Sequence, residues 1–486
     1  MADLLPTLLS FPPEKEVSNK EYDKQATKYV ESLNKISESA WTKPVNKQNI
    51  LDLLNPATNS IPYLYALYAQ WRNASKDRTR NEDAMTRAFI FFTSFDPVQV
   101  RYAGDTWLRL LDQAIDITPK LGVTDFTPIT TAMLRLDPTA GTFTSLHLRL
   151  VRMCLAEGAP SQALPILDKN IYAFPQAPHK NLPDELLCED HELSNSFITT
   201  KTGFSITPLK SEWILEYYLL GADIYIGLRN YSRARLFLEY LLLTPTSQHS
   251  CSALQTEAYK KWTLLGLLAQ GKSFPLPRTH NQQVMKSMKA IGKPYDALAE
   301  SFEKRQWRKF QAEMEAGFQI WQEDGNLRLV REVADALMRY RVLDLQNTYA
   351  ALTVGRVASH LSLSADETFT ILTAMREQGY LHARITAFSN DSASDTAVLH
   401  FHPTTESADE DSLQNQTTRI ESLITFLRDA DRRLQLTKDY IEVQKRGKRG
   451  GAGPDGDLAE QMDLTWDDAP IAGMGDGEGD EDIMAG

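Results

Sequence analysis

Between Trp213 and Leu241 two apolar stripes of helical period stand on either side of a tight turn. Trp213, Tyr217, Leu220, Ile224 and Leu228 recur at the spacing that places them on one helix face. Gly227-Leu228-Arg229-Asn230 ends that helix. Tyr231, Ala234, Leu238 and Leu241 form the facing stripe of a second helix, which stops at Pro245. A hairpin of this kind cannot bury its apolar faces by itself. It must stack on others, so the chain is directed toward a helical-repeat architecture.

The neighbouring segments carry the same signature. Phe143–Glu157 and Ser161–Tyr172 read as a hairpin joined by Gly158-Ala159-Pro160, with Ala163 at a close crossing and Pro175 beyond it. Ala222 and Ala234, with Tyr225 and Tyr231, match the spacing of a tetratricopeptide-like repeat, although Leu241 stands where a small residue belongs and Pro245 comes one place early. One further helix carries Ala258, Trp262, Leu265 and Leu268; another carries Trp307, Phe310, Met314, Phe318 and Trp321. Residues 1–140 read as helical with proline breaks, without a placement for each helix. Residues 176–211 read as a long polar loop or insertion.

The charge is unevenly placed. Residues 453–486 hold 11 Asp and Glu and no Lys or Arg, so removing them from the net −12 leaves −1 for the other 452 residues. A nearly neutral body does not recommend nucleic acid as a partner. Three widely spaced cysteines, Cys154, Cys188 and Cys251, propose no disulfide framework, which favours a reducing compartment. No apolar run reaches about 18 residues, and Met1–Pro12 lacks the basic region of a secretory leader, so neither a membrane span nor a leader is expected.

From about 327 the pattern changes. Leu327–Met338, Leu345–Leu352 and a short helix on Val354, Val357 and Leu361 precede a capping box at Ser364-Ala365-Asp366-Glu367. The helix it opens has an inner face of Phe369, Leu372, Met375 and Tyr380. Leu381, Ala383 and Ile385 then alternate as a strand, and Thr396–His402 as another. Three helices followed by two strands are the order of a winged helix, whose expected core is Val357, Leu361, Phe369, Leu372, Met375, Tyr380 and Ile385. Its recognition helix would offer only Arg376 against Asp366, Glu367 and Glu377, which argues against DNA and for protein docking.

After a polar linker, Leu413, Ile420, Leu427, Leu434 and Ile441 recur every seven residues, with Leu423, Ile424 and Ala430 between them. This heptad helix is expected to join an intermolecular bundle; folding back on its own solenoid is the alternative. Lys445-Arg446-Gly447-Lys448-Arg449 reads equally as an import patch or as a basic helix end. The Gly/Asp/Glu-rich segment after it is expected to be disordered, with Leu464, Trp466 and Ile471 as a possible short motif.

Three motifs imitate chemistry. Gly266–Ser273 fits the phosphate-loop pattern G-x-x-x-x-G-K-S, but it closes a helix, and Pro275 and Pro277 stop another from opening. Lys272 therefore sits where the helix dipole disfavours phosphate. His400 and His402 are similar to the paired histidines of isopeptidase metal sites, yet Glu410 stands where the completing Ser would fall. Cys188 and His191 form one C-x-x-H pair with no second pair. No catalytic, cofactor-binding or metal-binding constellation is expected.

A helical solenoid running into a winged helix resembles the PCI domain family of the proteasome lid, the COP-9 signalosome and translation initiation factor three. Within it, Gly221-Ala222-Asp223-Ile224-Tyr225-Ile226-Gly227-Leu228-Arg229-Asn230-Tyr231, Thr244-Pro245 and Glu257-Ala258-Tyr259-Lys260-Lys261-Trp262 through Gly271-Lys272 look like the subunit-three family of the signalosome. The match covers about 210–405. The insertion at 176–211 and the acidic tail depart from it. The resemblance implies a mostly α protein with N-terminal helical repeats at 1–200, the helical half of a PCI domain at 201–340, a winged helix at 341–404, a linker and bundle helix at 405–447 and a tail at 448–486. It further implies a non-catalytic subunit, without cofactor or metal, in a complex that removes the modifier NEDD8 from cullins. Its partners would be other signalosome subunits, subunits one and eight among them, and its location cytoplasm and nucleus. A PCI subunit of the lid or the initiation factor is the alternative, and a nucleotide-binding enzyme using Lys272 the remaining one.

Overall fold

The computed structural model describes residues 4–443 apart from 14–16, 46–47, 75–76, 178–185, 192, 206–208, 246–250, 387–396, 402–409, 436–439 and 441–442. The chain divides into two units, Met1–Leu381 with Ala387–Val398, and His382–Thr386 with Leu399–Gly486.

The first unit is a series of packed helices, a helical-repeat solenoid. Its N-terminal part holds Asn19–Asn34, Ser60–Ala74, Arg78–Ser94, Gly104–Ile117 and Thr127–Leu136. Ser60–Ala74 is buried on nearly every side, with Ile61, Tyr63, Leu64, Ala66, Leu67 and Trp71 all covered. A helix without a wet face shows no stripe, which is why the sequence did not reveal it. Phe91, Phe92 and Phe95 pack around Trp107, the closest ring centroids being 4.7 Å apart.

The hairpin at the centre is Ser211–Gly227 with Tyr231–Leu243. Ala222 and Ala234 are fully buried where the helices cross. Gly221 is needed beside them, since a Cβ there would lie 2.6 Å from the Phe237 ring and 3.0 Å from Leu167. The expected stripe is only partly internal. Tyr217 and Ile224 are buried, Trp213 and Leu220 half-buried, and Leu228 exposed at the turn.

One turn geometry recurs at helix ends, at Ser362 and Gly379 and at four corners before them. Gly158, Arg229, Arg305 and Gly325 all take the left-handed conformation, with φ of 68°, 61°, 56° and 70°. In each case the next N–H donates to the carbonyl five residues back: Ala159 to Cys154, Asn230 to Tyr225, Gln306 to Ser301 and Asn326 to Trp321, at 2.8–3.1 Å. This is the Schellman closure of a helix end, used here as the repeat's corner. Two of the four corners place Arg where Gly is preferred. Arg229 reaches Glu332, and Arg305 reaches Asp344 at 2.8 Å, both on the long helix Leu327–Gln346.

Several expected boundaries move. The helix expected at 161–172 is a 3₁₀ turn, Pro160–Ala163, and a single turn, Leu164–Leu167. Arg233 ends it by donating to the Leu167 and Lys169 carbonyls at 2.9 and 3.0 Å. The chain then runs extended, Tyr172 N–H bonding Gly141 O, with its ring over a Gly141 that leaves no room for a Cβ. The helix through Trp307–Trp321 breaks at Gly317, against which the Trp321 ring lies. Leu345–Leu352 is not a helix. Leu327–Gln346 is continuous, and β1, Ala351–Thr353, follows with only Leu352 turned inward. Nor is 186–204 a free polar insertion. Phe197, Ile198 and Phe204 are buried, and Arg101 pins the segment by donating to Leu187 O and Glu189 O at 3.0 and 2.8 Å over the Phe197 ring.

After β1 come helices Val354–Leu361 and Ala365–Glu377. The capping box is present: Glu367 N–H donates to Ser364 Oγ, and Ser364 N–H to Glu367 Oε2. Arg341 fastens Val354–Leu361 to the long helix by donating to the carbonyls of Leu361, at 3.1 Å, and His360. In the second unit β2, Ala383–Thr386, neighbours β3, Val398–Phe401, and the helix Glu410–Gln435 follows.

Candidate docking surfaces

The helix Glu410–Gln435 has the most conspicuous surface. Leu413, Ile420, Leu423, Ile424, Leu427 and Leu434 are all exposed, by 44 to 62%. Ile441 and the linker at 402–409 lie outside the described residues. Phe426, also exposed, belongs to the same surface and was missed by a strict heptad reading because it sits one place before Leu427. At 3.6 residues per turn, Phe426 to Ile424 subtend an arc of roughly 160°. A two-stranded coiled coil needs only the narrower seam of two heptad positions, whereas such an arc fits a helix flanked by at least two others.

Among the residues expected to form a winged-helix core, Val357, Leu361, Leu372 and Met375 are buried, and Phe369 and Ile385 are half-buried. Tyr380 is not in the core. It is 50% exposed, with the Arg339 guanidinium 4.6 Å from its ring centre. Gly379 in the left-handed conformation turns the chain there, so Leu381 rather than Tyr380 points inward. Thr368 is buried instead, its hydroxyl donating to Ser364 O at 2.9 Å. The outer face of Ala365–Glu377 exposes Asp366, Glu367 and Glu377 against Arg376, a poor match for phosphates.

The phosphate-loop lookalike closes the helix Ala253–Gln270. Gly271 is its left-handed cap, with its N–H on Leu267 O. Ser273 N–H donates to Glu303 at 2.7 Å, and Arg305 donates to Gly271 O at 3.1 Å. The chain folds back over Gly266, where a Cβ would meet Phe274 N at 2.9 Å. These backbone groups serve the fold and do not converge on an anion site.

The remaining candidates are equally occupied or incomplete. Cys188 Sγ donates to Asn19 O, and His191 shares its hydrogen bond with Leu186 O. His400 is exposed on β3, while His402 lies outside the described residues. Among the described residues no three His, Cys, Asp or Glu side chains group as metal ligands. Likewise no described helix is long and apolar enough to cross a membrane.

Stacked hairpins with Schellman corners, ending in an exposed apolar helix, define a helical-repeat protein whose distinctive features are surfaces. The comparisons with known proteins make this specific. Residues 23–284 match the family model for the N-terminal helical repeats of COP9 signalosome complex subunit 3. COP9 signalosome complex subunit 3 of Emericella nidulans is 32% identical over 376 residues, covering 74% of this chain and 75% of that protein. The proteins of the same name from Neurospora crassa and Dictyostelium discoideum are 27% and 24% identical over 360 and 429 residues, covering 73% and 87% of this chain and 71% and 94% of those proteins. The chain belongs to the COP9 signalosome complex subunit 3 family.

Proposed function

We propose that the chain is a non-catalytic scaffold subunit of a COP9 signalosome, supporting removal of NEDD8 from cullin-RING ligases by holding other subunits in place. Family membership supports the signalosome over the proteasome lid or initiation factor three. In this reading the helix Glu410–Gln435 enters a bundle formed with other subunits. The segment 341–404 serves as a winged helix that docks on PCI neighbours, subunits one and eight among them. The protein works in cytoplasm and nucleus.

The observation that carries the proposal is the apolar arc Leu413 to Leu434 left open to solvent. Affinity purification from the native cell, with mass spectrometry, compares the full chain with one ended after Ser412. Signalosome subunits recovered with the full chain and lost with the shorter one are the expected result. Equal recovery with both removes the bundle role, and recovery of lid or initiation-factor subunits overturns the assignment.

A further inference from the structure

Between Glu257 and Asp296 the chain carries no acidic residue, yet it holds seven bases: Lys260, Lys261, Lys272, Arg278, Lys286, Lys289 and Lys293. Lys260 is paired with Asp324 at 2.6 Å, and Lys261 with Asp223 and Glu257 at 2.6 and 3.0 Å. The other five are exposed and, among the described residues, none of the five is in an ion pair. Outside residues 453–486 the chain sums to −1, and against that nearly neutral background five exposed cations without an ion pair make a locally positive surface.

The local fold concentrates three of them. Helix Gln282–Ile291 seats Val284, Met285 and Met288 inward, so Lys286 and Lys289, three residues apart, share its outer side. Gly292 packs against the Tyr259 ring, where a Cβ would fall 2.8 Å away, and Lys293 opens the next helix at once. Ile291, 53% exposed, lies between Lys289 and Lys293 in the chain. Asp296 is the carboxylate that feels Lys289, and its oxygen already accepts the Tyr259 hydroxyl at 2.8 Å.

We infer that Lys286, Lys289 and Lys293, with Ile291, form a docking face for an acidic segment of a partner protein. Its Asp or Glu side chains meet the lysines, and an aliphatic residue covers Ile291. A single-stranded nucleic acid fits less well, because the aromatic side chains of this stretch that could stack on bases, Tyr259, Trp262, Phe274 and Tyr295, are all buried. The inference stands independently of the signalosome reading, since it rests on this face alone.

The test uses the full chain and a fluorescein-labelled peptide of Asp, Glu and Leu, with binding read by anisotropy at two salt concentrations. The variant Lys286→Gln, Lys289→Gln, Lys293→Gln should lose about tenfold in affinity. A control with the same charge change, Lys43→Gln, Lys120→Gln, Lys201→Gln, should keep it. Thermal melting verifies that both variants fold, and Lys286→Gln alone, expected to lose about threefold, replaces the triple variant if it does not. Equal losses in the test and control variants, no binding by the unaltered chain, or tighter binding of a single-stranded oligonucleotide of equal charge to this face would each overturn the inference.

Discussion

His147 sits at the third position of the helix Ser145–Ala156 and is buried. Its Nδ1 accepts the Thr144 N–H at 3.1 Å, and its Nε2 faces Ala140 O at 3.3 Å. That pairing calls for a neutral ring protonated on Nε2. Burial pushes its pKa below 6.5, against a weaker opposing pull from Asp137. Because the folded value is depressed, the contribution to stability is fully present above 6.5 and is lost as pH falls through the folded value. His147→Gln, which keeps a capping side chain, should therefore flatten the fall of the unfolding free energy, read from urea denaturation, as pH drops below 6.5, by up to about 1.4 kcal/mol per pH unit. Parallel pH profiles for the two proteins would refute this. The left-handed corners make a second residue-scale case. The strain at Arg229 is of order 1 kcal/mol, and its half-exposed pair with Glu332 returns about 0–1 kcal/mol. Arg229→Gly removes both, whereas Arg229→Ala removes the pair and keeps the strain. The Gly variant should thus be the more stable by about 1 kcal/mol in urea denaturation, and the reverse order would show that Arg229 is not strained.

At the scale of elements, the proposed bundle role of the terminal helix can be tested apart from folding. Its apolar residues touch water in the isolated chain, so Ile420→Glu with Leu427→Glu should shift the melting free energy by less than about 0.5 kcal/mol. The same pair should abolish recovery of partner subunits. A large loss of stability would instead mean that the helix folds back on its own chain. This helix was readable in the sequence because a seven-residue repeat survives without tertiary context, and Tyr231, Ala234, Leu238 and Leu241 were readable because their helix keeps a wet side. What was not readable follows from physics that a stripe does not encode. Ser60–Ala74 has no wet side. The helix at 164–167 is ended by Arg233, a residue far along the chain. Gly379 rotates Tyr380 out of the core and over Arg339. The partner-facing role of Lys286, Lys289 and Lys293 was hidden because the lack of an acid beside them means something only once Lys260 and Lys261 are seen to be paired.

Up to Leu337 the first unit buries two apolar clusters, one running from Leu8 to Met288 and one from Leu264 to Leu337. The helix Ala253–Gln270 feeds both: Ala258, Trp262 and Leu265 belong to the first, Leu264, Leu267 and Leu268 to the second. Its sides also carry the ion pairs that reach each neighbour, Lys261 to Asp223 and Lys260 to Asp324. A stacked array is stabilised by each layer and by nearest-neighbour interfaces, so damage should spread only as far as the shared layer transmits it. Leu298 is fully buried in the second cluster and absent from the first. Leu298→Ala should cost about 2–5 kcal/mol and raise amide hydrogen exchange through Lys293–Glu303 and Leu327–Gln346. Exchange in Ser60–Ala74 and Ser145–Ala156 should stay unchanged. Leu265→Ala, in the shared helix but facing the first cluster, should raise exchange on both sides of it. If Leu298→Ala loosens the N-terminal helices as much as the C-terminal ones, the two clusters unfold as one cooperative block and the layered description fails.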